Sequence, residues 1–418
     1  MNASLDQAAL DDVERRLTAH DTHLEQVYPG DDGTRQPVHT VYVPAHRYAA
    51  GLAREWGAQA WAAVEAQGTD ALLDAVGVRA DLRDAVAAQV ERKLATEPIE
   101  DLRIDLEDGY GTHPDADEDE VTAAAAAALR AELDAGGATP FVGIRFKCFE
   151  RPTRARGLRT LDVFVSTLAA SGDLPDGLVL TLPKVTGVVQ VEAMVAVCER
   201  LEEANGLPAG RLRFEVQVET PQSILDSAGT ATVARMIHAG AGRVSGLHYG
   251  TYDYSASLGI AAAYQSMEHP AADLAKEVMQ LAAAGTGVRL SDGSTNVLPV
   301  GDGAQVRGAW ANHGRLVRRS LERGFYQGWD LHPAQLPRRF AATYAFYREG
   351  FEPAAERLSN YVNEVEGAVL DEPATAKALA WYLKRGVDCG ALGADEIVER
   401  TGLQPAELTA IVTRPLGG

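Results

Sequence analysis

The chain has 418 residues, 46% of them hydrophobic and 23% charged, and its 59 acidic against 39 basic residues give a net charge of −20. This is the balance of a globular protein with a large core, and it excludes a disordered chain. So acidic a surface repels nucleic acid and anionic membranes, and a carboxylic acid substrate would need local cations or a metal to be held.

The opening residues, MNASLDQAALDDVERR, have no basic start followed by an apolar run, so no secretory signal is expected. The alanine-rich run Val121–Leu133 is flanked by charges and broken by Arg130, which does not suit a membrane span. Cys148, Cys198 and Cys389 are far apart and fit no Cys-x-x-Cys pattern. They read as isolated thiols of a reducing compartment, and the cytoplasm is the expected location.

Residues 1–37 read as a helical segment ending in the turn Pro29–Gly33. After it, short apolar runs alternate with longer Ala/Leu/Glu-rich blocks. The runs are His39–Val43, Asp101–Leu106, Phe141–Phe146, Gly177–Leu182, Leu212–Val218, Arg243–Tyr249, Asn296–Val300 and Gly324–Leu331. The intervening blocks include Asp81–Leu94, Val121–Leu133, Val189–Glu203, Pro221–Met236 and Ala304–Glu322. Alternating strands and helices imply parallel strands joined by crossovers, and eight such units suit a closed barrel. The rival, an open doubly wound sheet, would usually carry a glycine-rich turn after its first strand. The one candidate, Gly240–Gly246, precedes a strand and has the wrong spacing. The expected fold is therefore α/β, a (β/α)8 TIM barrel over residues 38–340 with a helical C-terminal region, 341–418. The expected tail helices include Arg338–Arg348 and Ala354–Glu366, and such a tail could pack on a neighbouring barrel as a lid. The acidic run Asp115–Glu120 reads as a solvated loop and helix start.

In a barrel, reactive groups gather at the C-terminal strand ends, and polar residues concentrate there. Strand two ends in Asp105-Leu106-Glu107-Asp108-Gly109. Three carboxylates in four residues call for a compensating cation or donors, unless they form a surface turn. Strand three ends in Arg145, a planar fork for a substrate carboxylate, a salt-bridge partner for the acids of strand two, or both. Strand four ends in Pro183-Lys184, whose amine is a Schiff-base nucleophile, an electrostatic clamp or an ion-pair partner. In strand five, alternation puts Phe214, Val216 and Val218 on one face and Glu215, Gln217 and Glu219 on the other, the lumen. Glu219, at the rim, is a metal-ligand candidate. Asp253, in Gly250-Thr251-Tyr252-Asp253 after strand six, would supply a second carboxylate or else cap a helix. His332 after strand eight is a rim group or a loop-ordering histidine.

These pieces, with Val41-Tyr42-Val43-Pro44-Ala45, Leu182-Pro183-Lys184-Val185, Val218-Glu219-Thr220 and His332-Pro333-Ala334-Gln335, resemble the HpcH/HpaI aldolase and citrate-lyase β-subunit-like (CitE-like) superfamily. The resemblance spans roughly residues 38 to 340. It implies a magnesium-dependent lyase or aldolase, with manganese as the alternative ion, that makes or cleaves a carbon–carbon bond in a 2-oxo or hydroxy acid. Glu219 and Asp253 would bind the metal. Arg145 would bind substrate, and Gly250, Thr251 and His332 would line the substrate site. Glu107 and Asp108 would order metal-bound water and the arginine, with Lys184 beside them. The alternatives are a CoA-thioester lyase or a malate-synthase-like Claisen enzyme, a phosphoenolpyruvate-type phosphotransferase, and a non-catalytic binding member of the fold. The sequence departs from CoA-using relatives in strand one, where Pro37-Val38-His39-Thr40 stands in place of an Arg-Ser pair. No nucleic-acid or membrane partner is expected, and a homo-oligomer is.

Overall fold

The computed structural model describes residues 4–363 and 372–413. Eight parallel strands form one sheet: β1 (His39–Pro44), β2 (Asp101–Asp105), β3 (Phe141–Arg145), β4 (Leu178–Leu182), β5 (Phe214–Val218), β6 (Val244–Tyr249), β7 (Arg289–Ser291) and β8 (Gly328–Asp330). Their order, β7-β6-β5-β4-β3-β2-β1-β8, follows the chain around a circle. The circle closes where Ser291 bridges Gln327, and the amides of Asp292 and Trp329 donate across the seam to the carbonyls of Gln327 and Gly293 at 2.8 and 3.2 Å. The protein is thus a (β/α)8 barrel with additional helices at its C-terminal end.

The period-two alternation of β5 does what it should in such a barrel. Phe214, Val216 and Val218 pack outward into the helical layer, while Glu215, Gln217 and Glu219 point inward, all of them buried. Polar groups fill the lumen and its charges pair with one another, while the buried Gln217 amide has no hydrogen-bond partner among the described residues. The Arg103 guanidinium pairs with Asp101 and, at 3.0 Å, with Glu215. The His248 Nε2 lies 2.6 Å from Glu215, and its Nδ1 accepts from the indole of Trp329 at 3.0 Å. A charge buried here costs little only because each has a partner.

Several local expectations need correction. Strand seven is Arg289–Ser291, and Asn296–Val300 lies in the loop after it. The barrel needs only three residues there to pair with Gly246, Leu247 and His248, whereas the more apolar segment has no edge to join. Pro221–Met236 is two helices, Pro221–Ile224 and Thr232–Ala239. The Asp226 side chain, accepting from the amides of Ala228 and Thr230, turns the chain between them. The two helices expected after Pro337 are one, Leu336–Val362, which runs through Pro353. Residues 364–366 of the expected second helix lie outside the described residues. This long helix crosses position 340 unbroken and packs against Arg83–Thr96, Gly303–Glu322 and Pro373–Asp388. The tail packs on its own barrel, where the Gln89 amide donates to the carbonyl of Ala391 at 2.8 Å. Glu118 of the supposedly solvated acidic run is fully buried, 2.6 Å from the Lys147 ammonium and accepting from Thr160 at 2.7 Å. Only its neighbours face water.

Candidate active site at the C-terminal rim

The ends of β2 to β6 converge on a cluster of carboxylates around one ammonium. Lys184 follows β4 with a positive φ of 49°, a left-handed conformation that costs a non-glycine residue energy and is retained mostly where a site requires it. Its backbone amide donates to Glu219 Oε1 at 2.7 Å. Its Nζ turns to Glu107 and Asp108, both at 2.6 Å, with Asp253 at 3.7 Å. Glu219 comes from the end of β5, and Asp253 from the first turn of the helix Thr251–Ser257 after β6. The N-cap of that helix is Gly250, so Asp253 is not spent on capping. Gly250 is also required for packing: a Cβ there would lie 2.5 Å from the Cβ of Glu219 and 2.7 Å from its Oε2.

Arg145 ends β3 and gives one edge of its guanidinium to a salt bridge with strand two. Its Nε and Nη2 donate to the two oxygens of Asp105, both at 2.7 Å. Asp105 in turn accepts the amides of Glu107 and Gly109 at 3.1 and 2.8 Å. The guanidinium stacks over the ring of Tyr42, 4.7 Å from its centroid, and its Nη1 lies 3.6 Å from Glu107. Asp105 and Tyr42 were not singled out from the sequence as site residues. The alternation Asp101, Arg103, Asp105 in β2 puts all three on the lumen side and was the available signal.

The electrostatics are those of a site short of positive charge. Burial pushes the Glu219 carboxyl up to about 8, with Glu107 and Asp253 adding to the rise against the opposing pull of Lys184 and Arg145. Burial raises Glu107 as well. Asp108 is lowered: burial opposes ionisation there, but the hydrogen bond and charge of Lys184, with Glu107 and Arg145, together outweigh it. Burial would lower the Lys184 ammonium, yet Glu107 and Glu219 hold it above the ordinary lysine range. Four carboxylates share this one ammonium, while Arg145 is largely consumed by Asp105. Among the described residues no three of His, Cys, Asp and Glu converge as a metal-ligand group. The cation that the carboxylates now face is the lysine.

The remaining expected site residues fall at the margins. The Thr251 hydroxyl is buried and donates to the carbonyl of Ser294 at 3.2 Å. His332, whose imidazole burial holds below its ordinary value, accepts the amide of Ala334 at Nδ1, 3.1 Å away. Among the described residues no hydrogen bond or ion pair joins His332 to the carboxylate cluster.

A family model described as a domain of unknown function, DUF6986, matches residues 17–415. No curated protein matches the chain. Among solved structures it is similar to the protein CitE from Mycobacterium tuberculosis in complex with magnesium, acetoacetate and coenzyme A, at 18% identity and a TM-score of 0.49, over 86% of this chain and 99% of that one. It is also similar to Haloferax volcanii malate synthase, at 15% identity and a TM-score of 0.47, over 91% and 99% of the two chains. A citrate lyase β subunit from M. tuberculosis complexed with oxaloacetate and magnesium aligns at 18% identity with a TM-score of 0.42, over 75% and 98%.

Proposed function

We propose that this chain, which belongs to the DUF6986 family, is a magnesium-dependent carbon–carbon lyase or aldolase acting on a small 2-oxo or hydroxy acid through an enolate. The observation that carries the reading is that Glu219 and Asp253, from adjacent strand ends, both face Lys184, Glu219 at its backbone amide and Asp253 3.7 Å from its ammonium, beside Arg145. Their chemistry fits a hard divalent ion: oxygen donors, one of them with its carboxyl raised by burial and by its carboxylate neighbours, and two further carboxylates within reach. Glu219 and Asp253 would hold magnesium, or manganese in its place. When bound, such an ion supplies Lewis-acid polarisation of a substrate carbonyl.

The chain's own groups do the rest. Arg145 keeps one edge for substrate, because two of its nitrogens are held by Asp105 and Nη1 faces only the more distant Glu107. It therefore presents a fixed donor to a developing oxyanion, at no cost of reorganisation. Lys184 is kept protonated by its carboxylate neighbours, which favours a role as cation and proton donor over that of a Schiff-base nucleophile. Glu107, buried between Arg145 and Lys184, is placed to hold both in register.

Calorimetric titration of EDTA-treated protein with magnesium tests the reading. The wild type should bind with a single site, and Glu219→Gln or Asp253→Asn should weaken binding at least tenfold while the fold is kept. Equal magnesium binding by both variants would remove the assignment.

A further inference from the structure

The N-terminal end of the barrel, opposite the rim, holds a cavity of about 430 Å³, within the usual range for small-molecule sites. Its inner wall is the lumen network of Arg103, Glu215 and His248, and its mouth is lined by Thr34, Phe141, Arg213 and Arg289. On the inner wall Arg103 is neutralised by Asp101 and Glu215, and Glu215 also takes the His248 Nε2. At the mouth Arg35 is likewise paired, with Glu97 and Glu100 at 2.5 and 2.9 Å. Arg213 and Arg289 differ. Among the described residues neither makes an ion pair.

Their surroundings hold them there all the same. Arg289 opens β7, its guanidinium 5.8 Å from the ring centroid of Phe141, and donates to the hydroxyl of Thr34. Thr34 is itself fixed, giving its amide and hydroxyl to Asp32 at 2.9 and 2.6 Å. Arg213, just before β5, is exposed. The two guanidiniums feel each other: Arg289 is lowered by burial and further by Arg213, against the opposing pull of Asp32 and Asp31. In an adjoining crevice that Arg289 also lines, Arg385 stacks on the rings of Tyr326 and Trp381, 4.1 and 4.4 Å from their centroids. On a chain of net charge −20, two like charges held at one mouth without bonded carboxylates are an arrangement that an anion would relieve.

We propose that this mouth is a second binding site, for a small multiply charged oxyanion of the phosphate or dicarboxylate type, gripped by Arg213 and Arg289. Asp32 is the built-in competitor, since it faces both arginines; Asp31 also pulls on Arg289, and Asp176 lines the same cavity. The site lies outside the chemistry of the rim and does not depend on it.

The test uses the full chain in EDTA, so that no metal reports from the rim. Thermal unfolding and calorimetry are followed with inorganic phosphate and with succinate, each against sodium chloride of equal ionic strength. Saturable stabilisation by either anion is expected, weakened at least tenfold in Arg213→Met, where an exposed side chain is replaced and folding is unaffected, and strengthened in Asp32→Asn. A response to phosphate alone assigns a phosphate-bearing ligand, and a response to succinate alone a dicarboxylate. Stabilisation no greater than that of sodium chloride, or an undiminished response in Arg213→Met, overturns the proposal. Magnesium binding by Arg213→Met should match the wild type, which keeps this result separate from the fate of the rim assignment.

Discussion

Glu219 makes the metal-free protein sensitive to pH in a direction opposite to that of most paired carboxylates. Its side chain is 2% exposed, and its carboxyl is moved from an ordinary 4.5 up to about 8. Below pH 4.5 the group is protonated in folded and unfolded chains alike and contributes no difference. Between 4.5 and 8 the folded chain keeps a proton that the unfolded chain has lost, so unfolding releases it and stability falls as pH rises. At about 1.4 kcal/mol for each tenfold change in proton concentration, the loss amounts to a few kcal/mol, at most about 5, and levels off above pH 8. The perturbation is Glu219→Gln, which keeps the shape and removes the charge. Urea unfolding in EDTA at about pH 5 and about pH 8.5 should show wild type and variant similar at the lower pH, and the variant more stable by about 2–5 kcal/mol at the higher. Magnesium should restore the wild type at the higher pH and leave the variant unmoved. Parallel pH profiles for the two proteins would refute the reasoning, because they would mean that Glu219 ionises in the folded chain as freely as in water.

Asp105→Asn should cost about 3–5 kcal/mol in denaturant unfolding, because the Arg145 guanidinium would stay buried without its bidentate partner. A loss under 1 kcal/mol would show that Arg145 relaxes toward Glu107 or solvent. Gly250→Ala should keep secondary structure by circular dichroism yet weaken magnesium binding at least tenfold, since the new methyl group displaces the Glu219 side chain; unaltered affinity would contradict the packing. Borohydride treatment in the presence of pyruvate should leave the mass of the protein unchanged, because Lys184 is held as an ammonium. A mass increase that disappears in Lys184→Met would make the lysine a nucleophile after all.

How much of this was legible in the chain depends on the range of the interaction concerned. Seven of the eight strand–helix units, the inward face of β5 and the polar strand ends follow from period and local composition, which each segment carries within itself. So does the gathering of candidate ligands at one rim, once the barrel is inferred. The strand that failed, Asn296–Val300, looked stronger than Arg289–Ser291 locally, but pairing with β6 and closure onto β8 chose the weaker segment. The same holds at the acidic helix start, where five acids in six residues give no hint that Glu118 alone would turn inward to Lys147 and Thr160.

The partners at the rim were beyond the reach of any local signal. That Arg145 spends its fork on Asp105, 40 positions away, while Lys184 reaches 77 positions back to Glu107, depends on which side chains the closed barrel brings to hydrogen-bonding distance. Alternation says which way a side chain points. Only the tertiary structure says what waits there, because a charge taken out of water accepts whichever partner the surrounding strands deliver. Arg213 and Arg289 at the opposite mouth make the same point in reverse, since nothing near them in the chain foretold that, among the described residues, no carboxylate would come within ion-pair distance.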